Sequence, residues 1–565
     1  MLLSNLNLLA TAPGGVARLR ELILTLAVQG KLVAQDPKDE PASELLKKIR
    51  AEKDRLIAEG KIKRDKPLAE IDDDEKPFAL PVGWEWVRLN SLLQKIGAGS
   101  TPLGGREVYV SSGVKFLRSQ NVWDDGLRLN AVAYIKPATH AKMAGTVVVA
   151  NDLLFNITGA SIGRCAVVPS DFDEANVSQH VTIVRTVLPA LNAFLHKVLV
   201  SRHVQQAVMD VQVGVSREGL SIAKLGQFLI PVPPLAEQSR IVTRVEKLMR
   251  LCDALEAKGQ LEATQHEQLI RTLLATLTES ETPAQLTENW QRIATHFDLL
   301  LDRPSSLDAL EQTILQLAVR GLLVPQDPQD EPASALLKKI RAKKDKLIAS
   351  GKIKRGKPLP PIAKDEQPFA LPRGWDWARF PELGEFGRGK SKHRPRNDPA
   401  LFKPPKYPLI QTGEVSRAKG VVQEVHSYYS DLGLAQSRMW PKGTLCITIA
   451  ANIAESAVLG FDSCFPDSVV GFVPAVAMGN VEYFLLFVET ARAELLAFAP
   501  ATAQKNINLE ILSSLLIPVP PLNELTRIVN RVAQLRSLCA DLRQRLAASQ
   551  STQAHLAEAL VQQVA

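Results

Sequence analysis

One stretch of the sequence matches a strong catalytic motif. Gly384 to Ser391 reads GEFGRGKS, which fits the phosphate-binding pattern G-x-x-x-x-G-K-[ST]. Such a loop needs a helix after it, because backbone amides and the helix N-terminus together meet the phosphate. Here HRPRNDP follows, and Pro395 and Pro399 would break that helix. We therefore favour a basic loop over nucleotide binding, with a P-loop ATPase carrying coiled-coil arms as the alternative enzyme interpretation.

Other chemical signals are missing from the sequence. It contains no G-x-S-x-G or H-E-x-x-H motif, and no G-x-G-x-x-G pattern follows a strand-like run. The amine-methylation tetrapeptide [DN]-P-P-[YFW] does not occur either. The nine histidines lack metal-ligand spacing, and the five cysteines contain no CxxC pair and predict no disulfide framework. We predict no catalytic site, no metal site and no cofactor bound by this chain.

Composition bounds the partners and the compartment. The chain has 565 residues, of which 45% are hydrophobic, so it can form several packed domains. The formal net charge is +8 and the sequence pI is about 9.1, a modest bias towards anionic partners such as nucleic acid. The apolar N-terminal stretch lacks a basic leader, and no apolar run reaches the ~18 residues of a membrane span. We therefore expect a cytoplasmic protein with no membrane partner.

Candidate DNA-binding residues come from two diverged parts of the chain. Arginine and lysine can pair with guanine edges and phosphates, and asparagine and glutamine can pair with adenine. In the first part we predict contacts at Arg118, Gln120, Asn121, Asn156, Thr158, Ser161, Arg164, Ser216 and Arg217. In the second part we predict contacts at Arg388, Lys390, Lys392, Arg394, Gln411, Thr412, Glu414, Arg417, Lys419, Asn452, Gln504 and Lys505.

These two parts are weakly related to each other. FLRSQNVWDDG aligns with LIQTGEVSRAKG, and DLLFNITGASIGRCAVV aligns with GTLCITIAANIAESAVL. Apolar positions agree, as Val122 does with Val415, whereas polar positions differ, as Arg164 does from Glu455. We expect this pattern when two copies of one fold read different ligands.

A repeated framework surrounds the two diverged parts. LAVQGKLVAQDPKDEPASELLKKIR, from Leu26, returns as LAVRGLLVPQDPQDEPASALLKKIR from Leu317, and 20 of the 25 positions are identical. IPVPPLAEQSRIV, from Ile230, returns as IPVPPLNELTRIV from Ile517. Each half of the chain therefore has a first repeated segment, a variable module and a second repeated segment.

The repeated segments predict helices that need partners. In the second segment apolar residues recur with spacings of four, three, four and three, at Ile241, Val245, Leu248, Cys252 and Leu255. This heptad seam is typical of a coiled coil. A narrow apolar stripe cannot be buried by one helix alone, so we expect helices of the two segments to pair antiparallel. We interpret the basic residues of the first segment as a solvated helix face, at Lys47, Lys48, Arg50, Lys53 and Arg55.

Each variable module predicts a mixed α/β domain. PFALPxGWxWxR opens both modules and suggests an anchored strand. GTVVVANDLLFNIT and GTLCITIAA are strand-like, whereas LNAFLHKVLVSRHVQQAVMD and VEYFLLFVETARAELLAF are helix-like. The predicted fold class is α+β, with two mixed α/β modules separated by long helices that form an antiparallel coiled coil, in a pseudo-twofold internal repeat.

This arrangement resembles the specificity subunit of type I restriction-modification systems. DEPAS-LLKKI, LPxGWxW and IPVPPLxEQxRIV carry the resemblance and each occurs twice, except that LNEL replaces LAEQ at Leu522. The resemblance implies that each module is a target recognition domain for double-stranded DNA. It also implies docking of two DNA methyltransferase subunits and of restriction endonuclease subunits. S-adenosylmethionine and ATP would be bound by those partner subunits, which leaves this chain non-catalytic.

On this interpretation the sequence divides into six regions. We predict repeated helical regions at 1–76 and 286–367, target recognition domains at 77–230 and 368–517, and coiled-coil helices at 231–285 and 518–565. A seam of about 25 residues is ~38 Å long as a helix, close to the ~34–36 Å between half-sites one turn apart on DNA. We hypothesise that this strut sets the gap of a bipartite target. A helical scaffold with two protein-binding modules is the second alternative.

Overall fold

The computed structural model describes residues 6–564, except for residues 66, 214–218, 352–358, 394, 419, 451 and 498–506. The chain divides into two compact units. The first unit comprises the residues up to Glu262 together with those from Ser549 onwards, and the second comprises Ala263–Ala548. Each unit contains one variable module.

The first half of the chain alternates helices with short strands. Its helices are α1 Leu6–Thr11, α2 Gly15–Val28, α3 Ala42–Ala58, α4 Pro137–Lys142, α5 Asn192–Leu199, α6 Arg202–Val213, α7 Ile222–Gly226 and α8 Leu235–Thr278. Its strands are β1 Glu85–Arg88, β2 Leu93–Ala98, β3 Tyr109–Val110, β4 Val114–Leu117, β5 Val122–Trp123, β6 Gly126–Leu127, β7 Ala133–Ile135, β8 Val147–Val148, β9 Leu153–Asn156, β10 Cys165–Val167, β11 Ala175–Val177, β12 Val181–Thr186 and β13 Leu229–Val232.

The second half is also built from helices and short strands, although their number differs from that of the first half. Its helices are α9 Pro283–Thr295, α10 Phe297–Leu300, α11 Pro304–Val319, α12 Ala333–Ala349, α13 Phe380–Leu383, α14 Thr412–Arg417, α15 Asp431–Gln436, α16 Glu482–Ala497, α17 Leu509–Ser514 and α18 Leu522–Val564. Its strands are β14 Asp376–Arg379, β15 Gly384–Arg388, β16 Tyr407–Leu409, β17 Val421–Val422, β18 Ser427–Tyr429, β19 Met439–Trp440, β20 Leu445–Thr448, β21 Ser456–Leu459, β22 Ser463–Cys464, β23 Val469–Pro474 and β24 Leu516–Val519.

The central strands of both sheets are arranged alike in the two modules, with β3 added in the first module and β17 added in the second. The first module has the strand orders β10–β9–β12–β2 and β3–β7–β4–β11–β8. The second has β15–β23–β20–β21–β17 and β18–β16–β22–β19. Strands β4 and β11 pair in parallel, as do their counterparts β16 and β22. The prediction of one fold in two copies is therefore confirmed, and the aligned residues Leu154 and Leu445 are both fully buried in a central strand.

A two-stranded ribbon anchors each module to the framework. The strand from the PFALPxGWxWxR segment pairs antiparallel with the strand from the IPVPP segment, as β1 with β13 and as β14 with β24. Trp86 stands opposite Pro231, and Trp377 stands opposite Pro518. The pairing brings both ends of a module to the start of a long helix, which confirms the predicted anchored strand.

Within the first unit, α2 runs antiparallel to the first part of α8. Arg20 contacts Asp253 and Glu256, whereas Gln35, further along the chain, contacts Glu237 near the start of α8. The second unit repeats this order between α11 and α18, with Arg543 against Asp308 and Glu311 and with Gln326 against Glu524. The predicted antiparallel pairing of the repeated segments is thus confirmed inside each unit.

The heptad seam attaches each module to this helix pair. Ile241 and Val245 are fully buried in a core that also contains Ile23 of α2 and Phe194 of α5. The second unit repeats the burial at Ile528 and Val532 of α18, in the core that contains α11 and α16. Because one seam contacts both the repeated helix and the module, the free energy of its apolar burial stabilises the framework and the module together.

Two local predictions need correction. The stretch LNAFLHKVLVSRHVQQAVMD is not one helix but two, since α5 ends at Leu199 and α6 begins at Arg202. The buried Ser201 hydroxyl donates to the Val198 carbonyl at 2.7 Å, which competes with the helical hydrogen bond there. Lys53 is not part of a solvated face, because its ammonium group donates to the Asn90 carbonyl at 2.8 Å. Lys344 repeats this bridge to the Pro381 carbonyl.

The five cysteines are free and buried, as expected in the absence of a disulfide framework. Across the residues that the structure describes, no helix is both long and apolar enough to span a membrane.

Candidate functional site

The GEFGRGKS stretch does not form a phosphate-binding loop. Gly384–Arg388 is strand β15 and pairs along its length with β23. The Gly389 amide donates to the Val469 carbonyl, and the Lys390 amide donates to the Phe465 carbonyl, so neither amide is available to a phosphate. In the described residues the next helical turn is Pro399–Leu401, which is too short for the required helix. The ATPase alternative is therefore wrong.

The same stretch presents cations to solvent. Arg388, Lys390 and Lys392 are exposed residues of one extended segment. Sequence analysis missed two further cations beside it, Arg396 and Arg438. Arg438 packs its guanidinium 4.0 Å from the ring centroid of the buried Trp440. We call these five residues the 388–438 ridge.

Backbone contacts hold the segment of the ridge in place. The Gln436 side-chain oxygen accepts the Lys392 amide at 2.6 Å. The Ser437 hydroxyl donates to the Lys390 carbonyl at 3.0 Å. Asp467 accepts the Arg388 side chain through its carbonyl and pairs with Arg396 through its carboxylate at 2.9 Å. The segment is therefore fixed by its main chain, while the lysine side chains extend into solvent.

In the first module, several predicted residues converge on Trp123. Strands β5 and β6 form a tight hairpin in which Trp123 faces Gly126 across the two-residue turn Asp124–Asp125. The guanidinium of Arg128 lies 3.8 Å from the Trp123 ring centroid, and that of Arg164 lies 3.7 Å from it. The half-buried indole thus stacks with two arginines, an arrangement that orients both guanidinium groups.

Gln120, Arg118 and Ser161 lie next to this stack. The Trp123 Nε1 donates to the Gln120 backbone carbonyl at 2.9 Å, and the Gln120 residue is exposed. The Arg118 side chain is half-buried, as is Ser161, whose hydroxyl accepts a hydrogen bond from Asn156. Together with Trp123, Arg128 and Arg164 we call these residues the Trp123 cluster.

Two of the predicted asparagines have structural roles. Asn121 is 2% exposed, and its side chain accepts the Arg118 amide at 2.9 Å and donates to the Arg128 carbonyl at 2.8 Å. Asn156 is fully buried and donates to the Ser119 carbonyl at 2.9 Å. Because these amides bind the protein itself, we do not include them in the candidate contact surface. They position the residues of the Trp123 cluster.

Thr158 forms a separate polar contact with His180, one of the nine histidines to which sequence analysis gave no role. The Thr158 hydroxyl lies 2.6 Å from His180 Nδ1, and His180 is exposed. Gly219 approaches this threonine so closely that a Cβ on it would lie 2.3 Å from the Thr158 methyl group. Thr158 is thus held beside the loop that contains Gly219.

The equivalent surface of the second module has different residue types. Glu414 accepts the Gln411 amide at 3.1 Å, the same cap that Asn121 provides in the first module. Glu414 also pairs with Arg417 at 3.2 Å, so its carboxylate neutralises that cation. Thr412 begins helix α14 in this turn. In the first module Arg128 likewise pairs with a carboxylate, that of Asp125 at 3.3 Å, so the two surfaces differ in their residue types rather than in the presence of ion pairs.

The same difference recurs one loop away. Asn452 is exposed at the position of Ser161, and its carbonyl accepts the Thr448 hydroxyl. Glu455, at the position of Arg164, pairs with Arg492 of α16. At this position the first module therefore has an arginine stacked on Trp123, whereas the second has a carboxylate paired with an arginine.

Six of the predicted contact residues lie outside the described residues, namely Ser216, Arg217, Arg394, Lys419, Gln504 and Lys505. Among the described residues, no group of three or more histidine, cysteine, aspartate or glutamate side chains could hold a metal ion.

The residues that sequence analysis missed share a cause. Trp123 was not among the candidates because only polar side chains were considered as DNA contacts. An aromatic ring can nevertheless orient the guanidinium groups that stack on it. Arg128 returns to Trp123 only because the hairpin reverses the chain after Asp124–Asp125. A two-residue turn before Gly126, flanked by apolar residues, was a usable signal for that hairpin.

Comparison with known proteins identifies the family to which the two modules belong. The family profile described as "Type I restriction modification DNA specificity domain" matches residues 81–265 and 372–549. The chain is 36% identical to the EcoEI specificity subunit of Escherichia coli over 97% of this chain and 93% of that protein. It is 34% identical to the EcoAI specificity subunit of the same organism over the same shares of the two chains.

The solved structure of an HsdS subunit from Thermoanaerobacter tengcongensis is 18% identical, with a TM-score of 0.38 over 87% of this chain and 98% of that one. The fold of this protein is established by its own structure and does not depend on this similarity. The two profile matches cover most of the chain, and each match spans one variable module and the start of the long helix that follows it. This protein belongs to the family of type I restriction-modification DNA specificity proteins.

Proposed function

We propose that this protein reads an asymmetric, bipartite sequence in double-stranded DNA, one half with each module. The observation that carries this proposal is the contrast between topology and polar inventory. The two modules have equivalent sheets, yet Arg118 and Arg164 of the first correspond to Gln411 and Glu455 of the second. Domains that present different donors and acceptors select different base pairs.

The Trp123 cluster is the proposed contact surface of the first module. Two guanidinium groups on an aromatic platform have reduced freedom, so little conformational entropy is lost when they bind guanine edges or phosphates. The 388–438 ridge is the proposed surface of the second module. Its exposed lysines are suited to phosphate contacts, which would place the module on the duplex without defining sequence.

The partners and cofactors belong to the same proposal. We infer that the repeated framework docks two DNA methyltransferase subunits, and that restriction endonuclease subunits join the complex. The two-fold repetition of the framework supports two equivalent docking sites. S-adenosylmethionine and ATP would bind to those subunits, and the complex would act in the cytoplasm.

The experiment compares substitutions in the two modules within the complex of this chain and its methyltransferase partner. Arg128→Ala with Arg164→Ala removes the stacked guanidinium groups, and Lys390→Ala with Lys392→Ala removes two exposed cations of the ridge. The first pair should weaken DNA binding and relax base preference in one half of the target. The second pair should weaken binding to all sequences and lower the salt dependence by about one counterion for each phosphate that is no longer neutralised.

Lys47→Ala with Lys48→Ala is the control for loss of two exposed lysines, because they lie on α3 outside both modules, and its complex with the methyltransferase is first verified by size-exclusion chromatography. This variant should leave DNA affinity within about twofold of the unmodified complex once net charge is accounted for. Equal losses of affinity in all three variants would contradict the proposed contact surfaces.

A further inference from the structure

An ion-pair cluster joins the repeat helix to the long helix in the first unit. Arg20 Nη2 of α2 lies 2.6 Å from Asp253 Oδ1 and 2.8 Å from Glu256 Oε2 of α8. The Arg20 side chain is 31% exposed, so the cluster lies at the edge of the apolar seam. One guanidinium group on α2 therefore meets two carboxylates on α8.

The second unit has the same cluster with the charges exchanged between the helices. Arg543 Nη2 of α18 lies 2.7 Å from Asp308 Oδ1 and 3.0 Å from Glu311 Oε2 of α11. The sequence repeat places Glu311 where the first half has Arg20, and Arg543 where it has Glu256. The guanidinium group is now on the long helix, and the two carboxylates are on the repeat helix.

The remaining positions complete this reversal. Asp308 replaces Ala17, and Ala540 replaces Asp253. A further cation, Arg536 of α18, lies 3.1 Å from the Glu311 carboxylate. At the cluster positions, α2 and α18 therefore carry only cations, whereas α11 and α8 carry only acids.

The other polar contacts of the interface are not reversed. Gln35 donates to Glu237 in the first unit, and Asp39 accepts Arg240. The second unit repeats both contacts with the same residue types, at Gln326 with Glu524 and at Asp330 with Arg527. These contacts would be equally satisfied if each repeat helix paired with the long helix of the other half. The ion-pair cluster, in contrast, would not be satisfied by this exchanged pairing.

An exchanged pairing would bring like charges together. Helix α2 against α18 would place Arg20 beside Arg543 with no carboxylate in the cluster. Helix α11 against α8 would place the four carboxylates of Asp253, Glu256, Asp308 and Glu311 together with no cation. Both arrangements replace attraction by repulsion, and interfaces gain specificity from such penalties on the wrong partner.

We propose that these opposite charge arrangements direct each repeat helix to the long helix of its own half, and prevent exchange between the halves or between two copies of the chain. The main apolar contact positions are alike in the two halves, as Ile23 is with Ile314 and Ile241 with Ile528, so these contacts alone would not distinguish the partners. The charge reversal thus ensures that each module is held at both ends by its own helix pair. This inference concerns assembly and does not depend on which DNA sequence the modules read.

The test uses the full-length chain with pairs of reporter cysteines. Asp39→Cys with Arg240→Cys reports the native pairing, since these side chains form an ion pair. Asp39→Cys with Arg527→Cys reports the exchanged pairing, because Arg527 is the repeat equivalent of Arg240. The chain is refolded from denaturant and treated with a short bis-maleimide, and cross-linked peptides are quantified by mass spectrometry. The native cysteines are buried and do not compete once the chain has folded.

The decisive variant gives the first unit the charges of the second, through Ala17→Asp, Arg20→Glu, Asp253→Ala and Glu256→Arg. Native pairing remains attractive, so the variant should fold, but exchange is no longer penalised. The 39–527 cross-link should rise at least tenfold above that of the chain with unmodified charges, and high salt should raise it in the latter as well. In the chain that instead carries the Asp39→Cys and Arg240→Cys reporters, the same fourfold substitution should lower the 39–240 cross-link.

Two further variants complete the design. Ala17→Asp with Arg20→Glu alone should lower the 39–240 cross-link severalfold, because α2 and α8 would then repel each other. Glu44→Lys with Lys47→Glu exchanges the charges of an exposed pair on α3 and should change neither cross-link. If the fourfold variant folds and gives only the 39–240 cross-link, the proposal is wrong and the reversed ion pairs contribute no pairing specificity.

Discussion

The indole of Trp123 orients the two arginines of the first module more than it contributes to the core. Its ring is half-buried and is covered by Arg128 and Arg164, at 3.8 and 3.7 Å. Each stacked guanidinium of this kind is worth about 0.5–2 kcal/mol. Removal of the ring should therefore release both cations into a larger set of conformations and should lower the stability of the fold by about 1–2 kcal/mol through the two lost stacks.

Trp123→Ala should weaken DNA binding by the methyltransferase complex about tenfold, the equivalent of ~1.4 kcal/mol. Fluorescence anisotropy on a duplex carrying the target would measure this change. Trp290→Ala is the control, because Trp290 is 43% exposed and lies on α9 of the framework. Equal affinity of the Trp123 variant and the unmodified complex would show that the stack is not part of the contact surface.

His196 makes the stability of the first unit depend on pH. This histidine is 6% exposed, and its Nε2 lies 2.9 Å from the Cys165 carbonyl. Burial, with the nearby Lys197 charge, lowers the pKa of His196 from 6.5 to about 4. Between these values the unfolded chain binds a proton that the folded chain does not, so the free energy of unfolding falls as pH falls from about 6.5 to about 4.

The decrease should reach about 3 kcal/mol at the acid end of this window, from ~1.4 kcal/mol for each pKa unit. His196→Gln retains an amide donor for the Cys165 carbonyl but removes the titrating group. Its unfolding free energy, measured in urea at a series of pH values, should be less sensitive to pH across the window. His555→Gln, on an exposed residue of α18, is the control and should retain the pH dependence.

The exposure of the predicted contact residues could be inferred from the sequence only where local chemistry was sufficient. The cations at Lys390 and Lys392 are exposed as expected, because charged side chains in an extended segment remain solvated. Asn121 and Asn156 were equally attractive in the sequence, yet both bind backbone groups brought close by the tertiary fold. Residue type alone cannot separate an asparagine that contacts a base from one that caps a turn.

Among helices and strands, the turns that end α2 and α11 are sensitive to substitution. Gly30 has φ +71°, and a Cβ there would lie 2.4 Å from Pro81 and 3.0 Å from Trp84. Gly60, after α3, has φ +69° but has no atom within 4 Å of the added position. The two glycines therefore share a left-handed backbone and differ in the space around it.

Gly60→Ala should cost about 1–2 kcal/mol, the usual penalty of a left-handed conformation. Gly30→Ala should cost clearly more, because the rigid rings of Pro81 and Trp84 must also move. Gly321→Ala and Gly351→Ala should repeat this contrast in the second half, where Pro372 and Trp375 surround Gly321 alone. Thermal unfolding measures the difference, and equal midpoints for the two members of a pair would refute the packing argument.

Helices were easier to predict from the sequence than sheets. The heptad spacing from Ile241 identified a helix and its buried face, because that periodicity is local to the chain. The strands were recognised only as stretches of apolar residues. Several strands contain two residues, such as Tyr109–Val110, which is too short to show alternation. Pairings such as β2 with β12 join distant segments, so the topology required the structure.

For the chain as a whole, the internal repeat was the most informative feature of the sequence. It predicted two related modules, each attached to equivalent framework helices, and the similar sheets of the two modules confirm that they are related. The predicted boundaries at residues 77, 230, 368 and 517 stay predictions, as does the proposed strut that sets the gap in the target. The bases read by each module could not be predicted, because base selection depends on the side-chain geometry of each contact surface.

Replacing one module should change one half of the target. A chimaera that carries another family member's module in place of residues 89–228 should fold, because it retains both strands of the ribbon β1–β13, which attach the module to the framework. Its methylation target should retain the half read by the second module and gain a new first half. A change in both halves would show that the modules do not read independently.

Independent reading by the two modules is tested most directly by mapping methylated adenines in genomic DNA after reconstitution of this chain with its methyltransferase partner. Two modules with equivalent sheets and different polar surfaces predict one split motif, with two unlike halves separated by a gap of fixed length. A continuous or symmetric motif, or methylation without sequence preference, would contradict the claim that each module reads its own half of the DNA target.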